Sequence, residues 1–239
     1  MKKTSAFTLI ELLVVISIIA VLAGLAVPAL TSALTKGQMT GTMNNARQLY
    51  LAGFQMANDG SANSDPNYAW PGDLSAQANS GGAGGGNTVT TLEEYCKALV
   101  QNGYLGGGDL QKILNAPSAA CTVTTDNADP PSVTLKGTSA LKVYKVKDGN
   151  PSNTVFAATA NYVYNTALTP TAAPYADKGF VIIHKGGDAV ILKKGQATAA
   201  GGYGGNCNQY QGAVGMLPGD TLGTCNAGDG NKNLTGPQG

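Results

Sequence analysis

The chain has 239 residues, enough for one long helix and a separate domain with a real core. Its 15 Lys and Arg stand against 14 Asp and Glu, and Arg47 is the sole arginine. That balance shows no broad basic footprint of a nucleic-acid binder.

Taken in chain order, a short basic head, Met1-Lys2-Lys3-Thr4-Ser5-Ala6, comes first. An apolar segment follows from Phe7 to Leu30, interrupted by Glu11 and by Pro28. At about 1.5 Å per residue it spans roughly 36 Å, enough to cross a bilayer core of about 30 Å. A carboxylate at the centre of such a helix costs on the order of 2.5–3.5 kcal/mol, and less near an interface. A plain anchor has no reason to carry it. Glu11 therefore calls for a partner, and the segment contains no Lys, Arg or His. Cleavage between Ala6 and Phe7 would remove both lysines and create an α-amino group on Phe7. In one helix that amine lies more than a turn from Glu11, so a neighbouring copy's amine would serve as partner. The alternatives are an uncleaved anchor whose Glu11 snorkels, or an ordinary secretory signal cut near Ala23-Gly24-Leu25-Ala26.

Ala6-Phe7-Thr8-Leu9-Ile10-Glu11, the unbroken apolar run and Pro28 resemble the class III signal of type IV pilins and type II secretion pseudopilins. The family usually has Gly before the cut, where this chain has Ala6. The resemblance covers roughly residues 1–55. It implies cleavage of a leader, residues 1–6, by a prepilin peptidase and N-methylation of Phe7. It also implies polymerisation with copies of itself and related pilin-like subunits, through an inner-membrane assembly platform. Glu11 and Pro28 would be its assembly residues. The fold implied is α+β and pilin-like: a long N-terminal helix, membrane-spanning in its first half, packed on a small antiparallel β-sheet head with short helices and Gly-rich loops.

Lys2 and Lys3 put the N-terminus in the cytoplasm by the positive-inside rule, so residues beyond Leu30 face the periplasm or the outside. The expected organisation is a transmembrane helix over 7–30, an amphipathic continuation over 31–59 and a head over 60–239. In the continuation Met39, Met43, Ala46, Tyr50, Phe54 and Ala57 share one helical face, with Lys36, Gln38, Asn44, Arg47, Gln48 and Gln55 on the other. Asn58-Asp59-Gly60 reads as the helix stop. Residues 61–91 read as loop, with turns at Asp65-Pro66-Asn67 and Trp70-Pro71-Gly72-Asp73 and a glycine run over Gly81–Gly86.

A second helix is predicted from Thr91 or Leu92 to Asn102, capped by Thr90 or Thr91, with Glu93 and Glu94 complementing its dipole. A third is predicted over 109–115. Strands are predicted over 132–135, 141–147 and 154–165. A hairpin joins 179–185 to 189–194 through Gly186-Gly187-Asp188. The tail, 195–239, reads as loop.

An exported head permits disulfides. Cys96, Cys121, Cys207 and Cys225 allow three pairings, and the two shortest closures, Cys96–Cys121 and Cys207–Cys225, are expected. No catalytic constellation is evident. His184, the only histidine, reads as a satisfied or solvent-facing strand residue, and no nucleophile elbow, Walker loop or dinucleotide fingerprint occurs. No cofactor is expected. Asp229-Gly230-Asn231-Lys232-Asn233 echoes a calcium loop but lacks Gly at the sixth position and a Glu at the twelfth, so a solvated loop is the stronger reading. Asn233-Leu234-Thr235 matches a glycosylation acceptor, a weak signal here. Together these features indicate a non-enzymatic filament subunit, most simply a secretion-type pseudopilin. A type IV pilus subunit, major or a minor tip adhesin, is the alternative, and a membrane-anchored periplasmic enzyme or binding protein is a remote one.

Overall fold

The computed structural model describes residues 8–77, 89–126 and 128–237. Residues 1–7, with the expected cleavage site between Ala6 and Phe7, lie outside that range, as does Gly81–Gly86. The chain divides into two compact units, Met1–Gln38 and Met39–Gly239.

Helix α1 runs over Leu9–Asn63 and contains Pro28. In the first unit every described residue from Thr8 to Leu34 is exposed. In the second, α1 buries Met39, Thr42, Ala46, Leu49, Tyr50, Gly53, Met56, Ala57 and Gly60. That face is rotated from the one expected. Leu49 and Met56 point inward, while Phe54 stays 45% exposed and Met43 is only partly buried.

The helix does not stop at Gly60. A Cβ there would lie 1.6 Å from the Tyr68 carbonyl oxygen, so glycine serves a close crossing inside the helix and not a left-handed cap. Beyond it the expected loop holds a helix, α2 (Pro71–Gln77). Pro71 fits its first turn, where no N–H is needed.

Helix α3 (Leu92–Gln101) is capped as predicted. Thr91 Oγ1 accepts from Glu94 N at 3.1 Å, and Glu94 Oε2 accepts from Thr91 N at 2.9 Å, a reciprocal capping box. Glu93 does more than complement the dipole: its carboxylate accepts from Leu135 N at 2.7 Å and ties α3 to a strand. Helix α4 covers Gly107–Ile113, two residues earlier than expected.

Strands β1 (Cys121–Thr125), which was not anticipated, and β2 (Val133–Gly137) form an antiparallel pair. The Gln111 side chain donates to Cys121 O at 2.6 Å and accepts from Val123 N at 2.7 Å. It thereby stands in for a neighbouring strand at the β1 edge.

The main sheet is antiparallel in the order β3 (Leu141–Val143), β4 (Val155–Thr159), β5 (Gly179–His184), β6 (Ala189–Lys193). Strands β3 and β4 are shorter than predicted. Central strands β4 and β5 are buried throughout, and their sequences, Val155–Ala158 and Phe180–Ile183, are correspondingly unbroken in apolar residues. Phe156 packs edge-on against Tyr50 of α1, at 5.5 Å between centroids. Phe180 stacks on Tyr162 at 4.0 Å. The β5–β6 hairpin forms as expected, with Gly187 at φ +88° in the turn and a Tyr50 ring carbon 3.0 Å from where its Cβ would sit.

The tail is not plain loop. It contains a 3-10 turn at Lys194–Gln196, α5 (Ala199–Gly202) and α6 (Cys207–Val214). Thr198 and Asn206 cap the two helices. The last described residues stitch the head together. Leu234 N donates to Val143 O at 2.8 Å, Lys145 N to Lys232 O at 2.7 Å and Leu92 N to Thr235 O at 2.8 Å. The molecule is thus α+β, a long N-terminal apolar helix whose later part packs on small antiparallel sheets with short helices.

Candidate functional site

The apolar half of α1 is the candidate site. Among the described residues it is the helix long and apolar enough to cross a membrane. Leu9 is 82% exposed, and Ile10, Leu13, Ile16, Ile19 and Leu25 all lie open. So large a contiguous apolar surface does not persist in water; it marks a lipid or protein partner. No described side chain of this unit covers it.

Glu11 is held at the start of that surface. Its Oε2 accepts from Thr8 N at 2.8 Å and from Thr8 Oγ1 at 2.6 Å, while Glu11 N donates to Thr8 Oγ1 at 3.3 Å. This corrects the expectation that the segment offers Glu11 nothing. Thr8 supplies hydrogen bonds, closing the helix start as Thr91 closes α3, although it supplies no positive charge. The spacing Thr8-x-x-Glu11 carried that signal in plain view. Pro28 lies inside α1, where it removes one ladder donor. Thr31 Oγ1 donates to the Pro28 carbonyl at 2.9 Å, three residues back.

In the head, the structure bridges Cys207 and Cys225, with Cα atoms 5.7 Å apart. Cys96 and Cys121 are buried free thiols, so only one of the two expected loops is closed. Burial pushes the Cys96 thiol far up, with a smaller contribution from Cys121 nearby. Burial likewise raises Cys121. Neither is a ready nucleophile.

His184 is buried in the sheet. Its Nδ1 meets Asp188 Oδ2 at 2.5 Å and its Nε2 meets the Val214 carbonyl at 3.1 Å. Both nitrogens are engaged, which is a structural arrangement.

Asp229, first residue of the segment with calcium-loop character, gives both oxygens to protein donors. Lys142 Nζ lies 2.5 Å from Oδ2, and Oδ1 accepts from Tyr144 OH at 2.8 Å and Tyr164 N at 3.1 Å. Burial lowers the Lys142 pKa, and Asp229 partly offsets that. Lys232 pairs with Asp220. Among the described residues no group of three or more His, Cys, Asp or Glu could hold a metal ion.

Residues 1–27 match the family model described as the prokaryotic N-terminal methylation motif. A probable minor fimbrial protein from Dichelobacter nodosus is 43% identical over 60 residues. That match covers 25% of this chain and 38% of the relative, so the chain spans well under half of the relative's length. No solved structure matches the chain.

Proposed function

We infer that this type IV pilin-like protein is the structural subunit of a filament, polymerising through Phe7–Leu30. The carrying observation is the fully exposed apolar helix over Thr8–Leu34, with a capped carboxylate near its start. A bilayer can cover that helix before assembly, and the same helices from neighbouring copies can cover it afterwards. In the first state the protein is a single-pass inner-membrane protein with a periplasmic head. In the second it is part of a periplasmic or cell-surface polymer.

The leader is removed between Ala6 and Phe7 by a prepilin peptidase, and Phe7 is N-methylated. Glu11 then carries the only carboxylate in a dry helical bundle. It faces the positive α-amino group of a neighbouring Phe7, with Thr8 orienting it through two hydrogen bonds. The inner-membrane assembly platform and related pilin-like subunits are the further partners. The role is structural and not catalytic.

Two destinations follow for such a subunit. A secretion-type pseudopilus is the first, supported by the short helix α3 placed between the long helix and the sheet. A minor subunit of a surface pilus is the second, supported by the name of the fimbrial relative.

Glu11→Ala and Glu11→Leu test the shared part. Losing one partner of a buried charge pair costs about 3–5 kcal/mol, whereas insertion into lipid becomes easier. Both variants should be processed, membrane-resident and folded, yet scarce in sheared filaments. Normal filament yield from both would refute the pairing role.

A further inference from the structure

The exposed face of α1 within the head unit carries Arg47, Leu51 and Phe54 at helical spacing i, i+4 and i+7. Leu51 is 53% exposed, and no described residue bonds or pairs with the Arg47 side chain. An arginine one helical turn from an exposed leucine and two from an exposed phenylalanine has the composition of an interface centre.

Phe54 also walls a cleft of about 280 Å³ with Asn58, Trp70, Asp148 and Lys185. A second cleft of about 260 Å³ shares Trp70 and Asp148 and adds Asp65 and Asp73. The second cleft thus holds three carboxylates, whereas the first sets Asp148 beside one lysine, Lys185. Its ammonium donates to the carbonyl oxygens of Asp148 and Asn150 and sits 5.5 Å from the Trp70 ring centroid. The exposed Asp148 carboxylate has no bonding partner among the described residues. The first cleft thus sets the Asp148 carboxylate beside the aromatic walls of Phe54 and Trp70, groups that a planar cation can use together.

We propose that Arg47 of one copy docks in the cleft beside Asp148 of a neighbouring copy. The proposal rests on the filament reading above. Arg47 and Phe54 lie two helical turns apart, about 10 Å along α1. A copy displaced by about that distance along the helix axis brings its Arg47 level with the next copy's Phe54. Such a contact is heterologous: it uses different patches on the two copies and does not close, which is the symmetry of a fibre. The guanidinium gains the Asp148 carboxylate and the face of Phe54, and Leu51 supplies apolar cover at the rim.

Charge reversal tests it in whole cells. Arg47→Glu and Asp148→Lys should each lower sheared-filament yield by about tenfold or more, with unchanged membrane-fraction level and head melting temperature. The double variant should return to within about twofold of wild type, because the pair is re-formed with reversed sign. A second chain, carrying both Arg47→Cys and Asp148→Cys, should give an intermolecular disulfide ladder in intact filaments, absent from either single variant. Normal yield from both single reversals, or a double variant no better than the worse single, overturns the proposal. So does a double-cysteine chain that stays monomeric within filaments, or an Asp148→Cys chain that crosslinks to a different protein instead. Failure of wild type itself to form any filament would overturn the filament reading; wild-type filaments indifferent to these changes would overturn only this contact.

Discussion

Thr8 and Glu11 open α1 in the same way that Thr91 and Glu94 open α3, yet their surroundings differ. Around Glu94 the box is one detail of a finished core, with Leu92, Tyr95, Cys96 and Leu99 of α3 buried behind it. Around Glu11 the residues that follow, Leu12, Leu13, Val15 and Ile16, are all exposed. An identical local motif therefore ends in self-sufficiency in the head and in dependence on other molecules in the N-terminal segment. Local capping sets where a helix begins. What covers its apolar face decides what the helix is for.

The largest effect expected from this contrast comes from separating the two regions. A chain starting at Met39 should fold with a cooperative thermal transition and remain monomeric without detergent, whereas the full chain should not. Aggregation or loss of the transition in the shortened chain would show that the head depends on the segment.

Next comes the ion pair that ties β3 to the tail. Lys142→Ala would leave Asp229 with two hydrogen bonds and no countercharge in a largely buried place. Loss of one partner of a buried pair costs about 3–5 kcal/mol, to be read from denaturant midpoints of the isolated head. A change near zero would mean that Tyr144 and the Tyr164 amide suffice. Reduction of Cys207–Cys225 follows, worth about 3 kcal/mol by loop-entropy arguments. It should lower head stability while leaving membrane insertion untouched.

The head and the segment were not equally legible in the sequence. The segment announced itself through an unbroken apolar run with one carboxylate. The hairpin around Gly186-Gly187-Asp188 and the Thr91 cap were equally plain, since turn and capping chemistry act over a few residues. Helix α6 was hidden, because its residues sit in a Gly/Asn-rich tail and its place is set by distant contacts. Tyr210 is buried, its hydroxyl against Tyr162 OH and accepting from Asn165 N at 2.7 Å. Helix α2 was masked by turn chemistry at Trp70-Pro71-Gly72, where Pro71 starts a helix instead. Phe54 was read inward because a periodic pattern gives spacing but not the rotation of the face. The Thr8–Glu11 box lay in the Thr-x-x-Glu spacing, but a capping hydroxyl supplies no countercharge, so the apolar run still leaves Glu11 without a cation.

Among the smaller effects, Thr91→Ala should destabilise the head by roughly 1 kcal/mol, the usual value of such a cap, without altering assembly per folded molecule. Thr8→Ala should show the reverse pattern, a normal head melting temperature with reduced filament yield. The smallest effect is in pH. Burial acts to raise the Glu94 pKa, but hydrogen bonds from Thr90 and Thr91 outweigh it and hold the group below its ordinary value. A depressed folded pKa means stability that is present above the unfolded value of about 4.3 and lost as pH falls through the folded one. Glu94→Gln should therefore lower head stability at neutral pH and flatten its fall below about pH 4.3, the two proteins converging in acid.

The central claim is that the apolar segment stays on the protein and becomes the assembly surface. Intact-mass and N-terminal peptide spectrometry on sheared surface material and on membranes from the native host tests it most directly. In the polymer the chain should begin at Phe7, carry one added methyl group on its α-amine and retain everything from Phe7 through Leu30. A chain that keeps Met1, or one that begins near Ala23–Ala26 and so has lost the segment, would contradict it.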